Sequence, residues 1–403
     1  MKKNINFFNK KDYNKKQSIF FIIILMITLL VNIFFYGYNF RAMNGLLSNQ
    51  TLVEKITTVK SILANNYLFS KDVPEDQILD GTIEGLVSSY GDPYTRYVSS
   101  KNYEKFTTEI KGEFGGIGVT IKNNSTVVPE EGIQILETIS GSGAEQAGIE
   151  SNDKIISVDG VDITGMEVDK ALELIKGQKG TDVSLEVVKE NETKPSTVTI
   201  TRDVVEVPVV SARVLKDRIG YISISQFTQT IVHQFDEEYK KIEPDIDSLI
   251  IDLRFNTGGS VPETVEILSR FIGENQVAVT MEKKNYSIDV TTEKSDYLID
   301  KKIILLVNQY TASASEIFAG ALRSYDKATI LGTKTFGKGL VQETTKLDDS
   351  SLLIITVAKY LTPSKEDINK KGLEPDILVE LSETSIVDTQ LEEAIKILEK
   401  ESE

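Results

Sequence analysis

Ser248-Leu249-Ile250-Ile251-Asp252-Leu253 is a run with the apolar character of a buried strand, and Arg254-Phe255-Asn256-Thr257-Gly258-Gly259 follows it directly. A short apolar run broken by a glycine pair, with helical spacing on either side, marks one unit of an alternating β/α layout. Upstream, residues 219–224 form a second strand pattern. Residues 228–242 form a helix pattern with Ile231, Phe235, Tyr239 and Ile242 on one face. Downstream, a helix is expected over about 262–271, then a buried strand over 303–307 and a helix over about 312–325. Further strands are expected over 329–331 and 352–357. Leu391, Ala394, Ile395 and Leu398 end the chain in a short amphipathic helix. The pattern is that of an α/β domain with a largely parallel sheet.

Upstream of Arg202 the periodicity changes. β-type runs occur at 117–121, 133–139, 154–158, 183–188 and 197–201, with a single helix over 168–176 and a polar hairpin loop at 191–196. This is a small β-rich module. Phe114-Gly115-Gly116-Ile117-Gly118-Val119 opens it, and a glycine-rich turn lets successive N–H groups converge on a carboxylate. With Gly148-Ile149 and Asp153-Lys154-Ile155-Ile156-Ser157-Val158-Asp159-Gly160 beyond, the module resembles a PDZ domain. That resemblance implies capture of peptide C-termini, with Gly115, Gly116, Ile117 and Gly118 holding the carboxylate. Gly143 stands where a proline is common, and Ser151-Asn152 replaces the usual Pro-Gly. Asn152 tolerates a left-handed backbone, so the turn survives. Before this module, amphipathic helices are expected over 50–69 and 76–90, followed by an Asp92-Pro93 turn. They serve packing or pairing with another subunit.

The 403 residues carry a formal charge of −16, unevenly distributed. Residues 1–16 hold six lysines against one aspartate, a net of +5, which leaves −21 on residues 17–403. So acidic a body repels phosphate backbones, and nucleic acid is not an expected partner. Residues 19–35 are apolar except for Thr28 and Asn32, with Tyr36, Tyr38 and Phe40 beyond. About 20 residues at ~1.5 Å each span a bilayer core of ~30 Å. The flanking lysines put the start in the cytoplasm. The competing reading is a cleaved signal peptide, for which residues 39–43 make a poor cleavage site.

There is no cysteine, and His233 is the one histidine. Disulfides, thiolate metal sites and a cysteine nucleophile are excluded, as are a Ser-His-Asp triad and an H-E-x-x-H zinc site unless His233 serves alone. His233 falls on the polar face of its helix, as a surface residue would. No phosphate-binding loop or metal-ligand cluster is present, so no cofactor is implied. Hydrolysis would fall to other residues. Ser313, in Thr311-Ala312-Ser313-Ala314-Ser315-Glu316, lies at a strand-to-helix turn where orphan N–H groups favour developing negative charge. Gly258-Gly259 offers backbone donors in the same way. With histidine scarce, a lysine must act as base, with its reference pKa of ~10.4 lowered by burial. Lys338, between Gly337 and Gly339 and flanked by Phe336 and Leu340, suits that. Gln342, four residues on, faces the same side in an extended strand. Ser151–Lys154 and Ser324–Lys327 also match S-x-x-K, but neither adjoins oxyanion donors. Glu316 is expected to shape its helix, and Asp252 and Arg254 to hold the strand end together.

From about Tyr67 to Leu381 the chain resembles the C-terminal processing peptidases, or tail-specific proteases. Asp92-Pro93-Tyr94-Thr95 matches their stretch before the PDZ module. Ser313, Lys338 and Gln342 keep their spacing, a lysine 25 residues after the serine and a glutamine four further on. Thr311 replaces a frequent serine, outside the catalytic set. The resemblance implies that Ser313 attacks, Lys338 accepts its proton and Gln342 positions Lys338, with oxyanion donors from Ala314 and the Gly258-Gly259 turn. It also implies an α/β protease core related to the ClpP/crotonase-like layout, and a homodimer.

The resulting organisation is a cytoplasmic basic tail (1–17), a transmembrane anchor (18–40), a helical N-terminal segment (41–111), a PDZ domain (112–203), a serine peptidase core (204–381) and a C-terminal helix (382–403). The expected partners are protein or peptide substrates with accessible C-termini, and the membrane. Two alternatives stay open. The chain could be a peptide-binding scaffold with an inactive core, or an enzyme latent until the PDZ module moves.

Overall fold

The computed structural model describes residues 50–121, 131–381 and 387–400. Two compact units divide at Thr82. In the first, α1 (Gln50–Asn66) is followed by the start of α2 (Glu75–Ser88). Leu52, Val53, Ile56, Val59, Ile62 and Leu63 of α1 are all exposed among the described residues. The anchor expected over 18–40 lies outside the described residues. Among the described residues no helix is long and apolar enough to cross a membrane.

The second unit begins with the Asp92–Thr95 turn, β1 (Arg96–Val98) and α3 (Tyr103–Lys111). Gly112 ends α3 in a left-handed conformation, φ 72°. It presses so closely on Thr228 that a Cβ would lie 2.7 Å from the threonine Cβ. Its carbonyl accepts the Val207 N–H at 2.8 Å, so the entry to and exit from the β-rich module are tied together.

That module holds β2 (Glu113–Gly116), β3 (Val119–Ile121), β4 (Ile133–Thr138), the short α4 (Gly143–Gln146), β5 (Lys154–Val158), β6 (Val161–Asp162), α5 (Val168–Ile175), β7 (Asp182–Val188), β8 (Ser196–Thr201) and β9 (Asp203–Glu206). The strands run in the order β3-β4-β5-β7-β8, with β2 pairing β9 alongside. Alternating residues build its core, among them Ile135, Ile155, Val183, Leu185 and Val187, closed by Ala171 and Ile175 of α5. The buried Arg202 donates to the carbonyls of Leu174 and Ile175, capping the C-terminus of α5.

The core domain follows with β10 (Val210–Val214), β11 (Ile219–Ile224), α6 (Ile231–Ile242), β12 (Ser248–Asp252), α7 (Val261–Ile272), β13 (Val277–Lys283), β14 (Ser287–Thr291), β15 (Lys302–Val307), α8 (Ala314–Ser324), β16 (Thr329–Gly332), β17 (Leu340–Lys346), β18 (Leu352–Leu361), β19 (Ile377–Leu378) and α9 (Thr389–Lys400). One sheet runs β10-β11-β12-β15-β16-β19, parallel from β11 onward. Helices α6, α7 and α8 bury one face of it, and α9 covers the other with Ala394 and Leu398. This is the α/β layout expected from the sequence. A second, antiparallel sheet is new. β17 pairs one edge of β18, and β1 and β13 share the other, with β14 outside β13. His233 is half-exposed on α6, bonded to Glu206 Oε2 at 2.6 Å.

Candidate active site

Ser313 sits between β15 and α8, as the sequence places it. Its backbone is at φ 59°, ψ −119°. A non-glycine residue in that region stores about 1–3 kcal/mol and persists only where its surroundings hold it. Three contacts do so. The Ser313 N–H donates to Glu316 Oε2 at 2.9 Å, its carbonyl accepts the Tyr360 hydroxyl at 2.9 Å, and the Ala312 N–H reaches back to the Asn256 carbonyl at 3.0 Å. Ala314, the next residue, is the first of α8, where a backbone N–H has no partner within the helix.

The Asn256–Gly259 loop lies against this turn. A Cβ on Gly258 would stand 2.8 Å from both the Ala314 nitrogen and the Ser313 Cβ. One on Gly259, at φ 143°, would collide with the Phe227 carbonyl at 2.1 Å. Only glycine allows so close an approach. The fully buried Asn256 shapes the loop, its amide donating to the Ile224 carbonyl and its Oδ1 accepting the Gly258 N–H, both at 2.9 Å. The Gly258 donor is thus spent internally. Among the described residues the Gly259 N–H has no partner, which leaves Gly259 and Ala314 as the pair able to meet an oxyanion.

Lys338 arrives from the other sheet, in the loop before β17. It shares with Ser313 a cleft of about 900 Å³, also lined by Phe227, Gly258, Gly259, Val265, Met281, Ile317 and Tyr360. Burial pushes the Lys338 amine below the ordinary lysine value, and Arg96 pushes the same way, against Asp92 and Glu316. Among the described residues the amine makes no hydrogen bond. It lies over the ring of Tyr94, 4.8 Å from the centroid.

Gln342 is in β17, but the ladder with β18 shifts register between Val341 and Gln342. Simple alternation therefore does not set its face, and its amide donates to Thr356 Oγ1 at 3.2 Å rather than reaching Lys338.

Glu316 has a larger part than helix shaping. The side chain is fully buried. It accepts the Thr335 hydroxyl at 2.5 Å and the N–H groups of Gly337 at 2.8 Å and Lys338 at 2.9 Å, besides that of Ser313. Burial pushes its carboxyl pKa up, and these donors oppose it. Every neighbour is a donor, so the ionised form is the one they satisfy. One side chain therefore sets the Ser313 backbone against the Lys338 loop.

Asp252 and Arg254 hold the strand end, as expected. Arg254 bonds Asp252 and reaches Asp388 and Gln390 at the start of α9. Tyr221 donates to Asp252 at 2.7 Å, and burial beside that carboxylate pushes its phenol up to about 12.

In the β-rich module, the 115–118 run is anchored through its carbonyls. Gly115 accepts from Gly177 at 3.1 Å, Ile117 from Ala144 at 2.9 Å, and Gly118 from Ile139 at 2.9 Å. The N–H groups of Ile117 and Gly118 donate to nothing among the described residues. They adjoin β3, an open edge strand to which an extended peptide can add.

Residues 218–379 match the profile of peptidase family S41, residues 107–188 that of the PDZ domain, and residues 41–102 that of the N-terminal domain of the activating protease CtpB. A carboxyl-terminal-processing protease of Synechocystis sp. is 34% identical over 328 residues, 78% of this chain and 76% of that protein. The chain belongs to the C-terminal processing peptidases of family S41. The carboxy-terminal processing protease CtpA of Bacillus subtilis is likewise 34% identical, over 81% of this chain and 69% of that protein. A putative S41 protease from Bacteroides fragilis shares the fold, with TM-score 0.51 at 18% identity over 85% of this chain and 97% of that one. The molecule is therefore a serine peptidase with a PDZ domain. Sequence reasoning missed several residues that build the S41 site: Tyr94, Asn256, Thr335, Thr356 and Tyr360. Tyr94, Asn256 and Thr335 carried a signal, as parts of the Asp92–Thr95 stretch, the Arg254–Gly259 loop and the segment around Lys338, whereas Thr356 and Tyr360 carried none.

Proposed function

We propose that this S41 peptidase cleaves protein tails with a Ser313–Lys338 dyad outside the cytoplasmic membrane, on substrates whose C-termini the PDZ domain holds. Ser313 Oγ attacks the scissile carbonyl and its proton passes to Lys338 Nζ. The N–H groups of Gly259 and Ala314 stabilise the oxyanion, in the turn that Gly258 makes possible. The proton moves on to the leaving amine as the C–N bond breaks. Water then attacks the acyl-enzyme, giving a proton to Lys338, and the serine hydroxyl is restored. Gln342, whose amide here bonds Thr356, would turn to orient the amine once substrate is engaged, without adding charge that would oppose its lowered pKa.

The single observation that carries this reading is the Glu316 carboxylate, which binds the backbones of Ser313 and Lys338 together at one cleft. The peptide C-terminus would meet the N–H side of the Gly115, Gly116, Ile117 and Gly118 run and lie between β3 and α5. No cofactor is needed. Residues 18–40 would anchor the chain as a single span, with residues 1–17 in the cytoplasm. The exposed apolar residues of α1 support a homodimer through the N-terminal helices.

Ser313→Ala tests the assignment. It is expected to abolish cleavage of a flexible C-terminal tail while the thermal unfolding curve stays near wild type, and retained cleavage would refute it. Peptide binding without turnover by the wild-type chain under any condition would instead favour the scaffold reading.

A further inference from the structure

The Asp92–Thr95 turn touches Lys338 directly and is linked to Gln342 through Thr356. Asp92 accepts the Tyr94 N–H at 3.1 Å and the Thr95 hydroxyl at 2.6 Å, which fixes the turn. Thr95 Oγ1 then accepts the Thr356 N–H at 3.0 Å, fastening the turn to β18. Thr356 Oγ1 is the acceptor for the Gln342 amide. From the same turn, the Tyr94 ring lies under the Lys338 amine. Of the groups expected to act together, the amine meets the turn directly and the amide meets the Thr356 residue that the turn fastens.

We infer that the Asp92–Thr95 turn is a holding element for the catalytic base, with Tyr94 a positioning residue whose ring face binds the ammonium form of Lys338 and keeps it from serving Ser313 until substrate is engaged. The inference rests on the Ser313–Lys338 reading. Its physical basis is the ring quadrupole. A cation over an aromatic face within about 6 Å of the centroid is stabilised, whereas a neutral amine gains almost nothing. The contact thus favours the protonated state, which cannot accept the proton of Ser313. The other charged groups acting on the amine are Asp92 of the same turn, Arg96 of β1 and Glu316 of α8. Of these, Arg96 opposes the protonated state, while Asp92 and Glu316 favour it. Removing the ring takes away one support of the ammonium form and leaves those three in place. Burial, which already lowers the amine pKa, then acts with less resistance.

The test is the pH dependence of kcat/KM, which reports the free enzyme. It is measured on the full chain with a fluorogenic peptide bearing a free apolar C-terminus. Tyr94→Leu is expected to move the acidic limb down by about 0.5–1 pH unit and to raise the rate on that limb about 3- to 10-fold. Tyr94→Phe keeps the ring face and is expected to stay on the wild-type limb. An unshifted or upward-shifted limb in Tyr94→Leu overturns the inference, as does a Tyr94→Phe limb that moves as far as that of Tyr94→Leu. If Tyr94→Leu does not fold, Tyr94→Met carries the same test, filling the space without a ring. Lys338→Met separates the two levels. If it retains activity, the dyad reading falls. If it is inactive and the Tyr94→Leu limb has not moved, only the holding role falls.

Discussion

The hydroxyl of Tyr360 donates to the carbonyl oxygen of Ser313 at 2.9 Å, leaving the serine side chain untouched. Tyr360 is almost wholly buried, and its phenol pKa is pushed well above the usual value by that burial and by Glu316. It remains a donor across the working range. The same carbonyl also accepts the N–H groups of Glu316 at 2.9 Å and Ile317 at 3.0 Å, so Tyr360 adds from β18 a third donor to the group that α8 already holds. Tyr360→Phe keeps the ring and removes the donor, a change worth about 1 kcal/mol of stability. Because it loosens a strained turn, kcat is expected to fall by about 3- to 30-fold, with KM little altered. Steady-state kinetics beside a thermal melt will check this. A wild-type kcat would mean that the turn holds itself.

Glu316 has four donors on two oxygens and no acceptor neighbour. Glu316→Gln must point its amide nitrogen at two of those donors, either those of Ser313 and Lys338 or those of Thr335 and Gly337. At least one buried N–H is then left facing the amide N–H, since only the Thr335 hydroxyl can turn to accept, at a cost of about 1–3 kcal/mol for each donor left unpaired. The variant is expected to lose activity by at least about 100-fold and to melt several degrees lower, both effects larger than those of Tyr360→Phe. Equal activity of Glu316→Gln and wild type would remove Glu316 from the positioning role.

The acid limb of activity follows from Lys338. Burial lowers the folded pKa, so within the window between that value and the ordinary lysine pKa the unfolded chain binds the extra proton. Stability therefore rises with pH through that window, and activity rises with pH through the folded pKa as the amine becomes neutral. Lys338→Met removes the buried charge. It is expected to be inactive and, below the folded pKa, to melt about 1–3 °C higher than wild type. Inactivity with a lower melting point across the range would show that the lysine stabilises the fold instead.

Much of this was legible in sequence because it is local. Residues 248–259 and 311–316 lie at strand ends where apolar runs, glycines and helix starts follow one another along the chain, and the structure keeps them there. The PDZ strands were legible for the same reason, since each half-buried strand alternates. The second sheet was not. β17 is polar and largely exposed, and its place is set by β18, whose other edge is shared by β1 from the far end of the domain's sequence. Gln342 does line the cleft that holds Ser313 and Lys338, but the register shift at Val341 and the bond of its amide to Thr356 could not be read from alternation. Tyr94 and Tyr360 meet Lys338 and Ser313 only through tertiary packing, to which no spacing rule applies. The Gly258 donor was misread for a smaller cause. A glycine pair signals bare N–H groups, but the Asn256 side chain two residues before takes one of them.

The PDZ side of the reading has its own test at Gly115. A Cβ there would stand 2.0 Å from the carbonyl oxygen of Gly177, just beyond the C-terminus of α5. Backbone cannot yield as a flexible side chain can, so Gly115→Ala must push the 115–118 run and the end of α5 apart. Those are the two walls between which a peptide strand would lie. Arg202 holds the α5 end through the Leu174 and Ile175 carbonyls, so the displacement is expected to fall on the glycine run and its N–H groups. Binding of a free C-terminal peptide to the full-length Ser313→Ala chain, measured by fluorescence anisotropy, is expected to weaken by about 10-fold or more. In the active chain, KM for a long tail should rise by a similar factor, while hydrolysis of a short activated ester should change little. An unchanged Kd would show that substrates are recognised elsewhere than in the Gly115–Gly118 run. An ester rate that falls with peptide binding would instead mean that the PDZ domain acts on the Ser313 site itself.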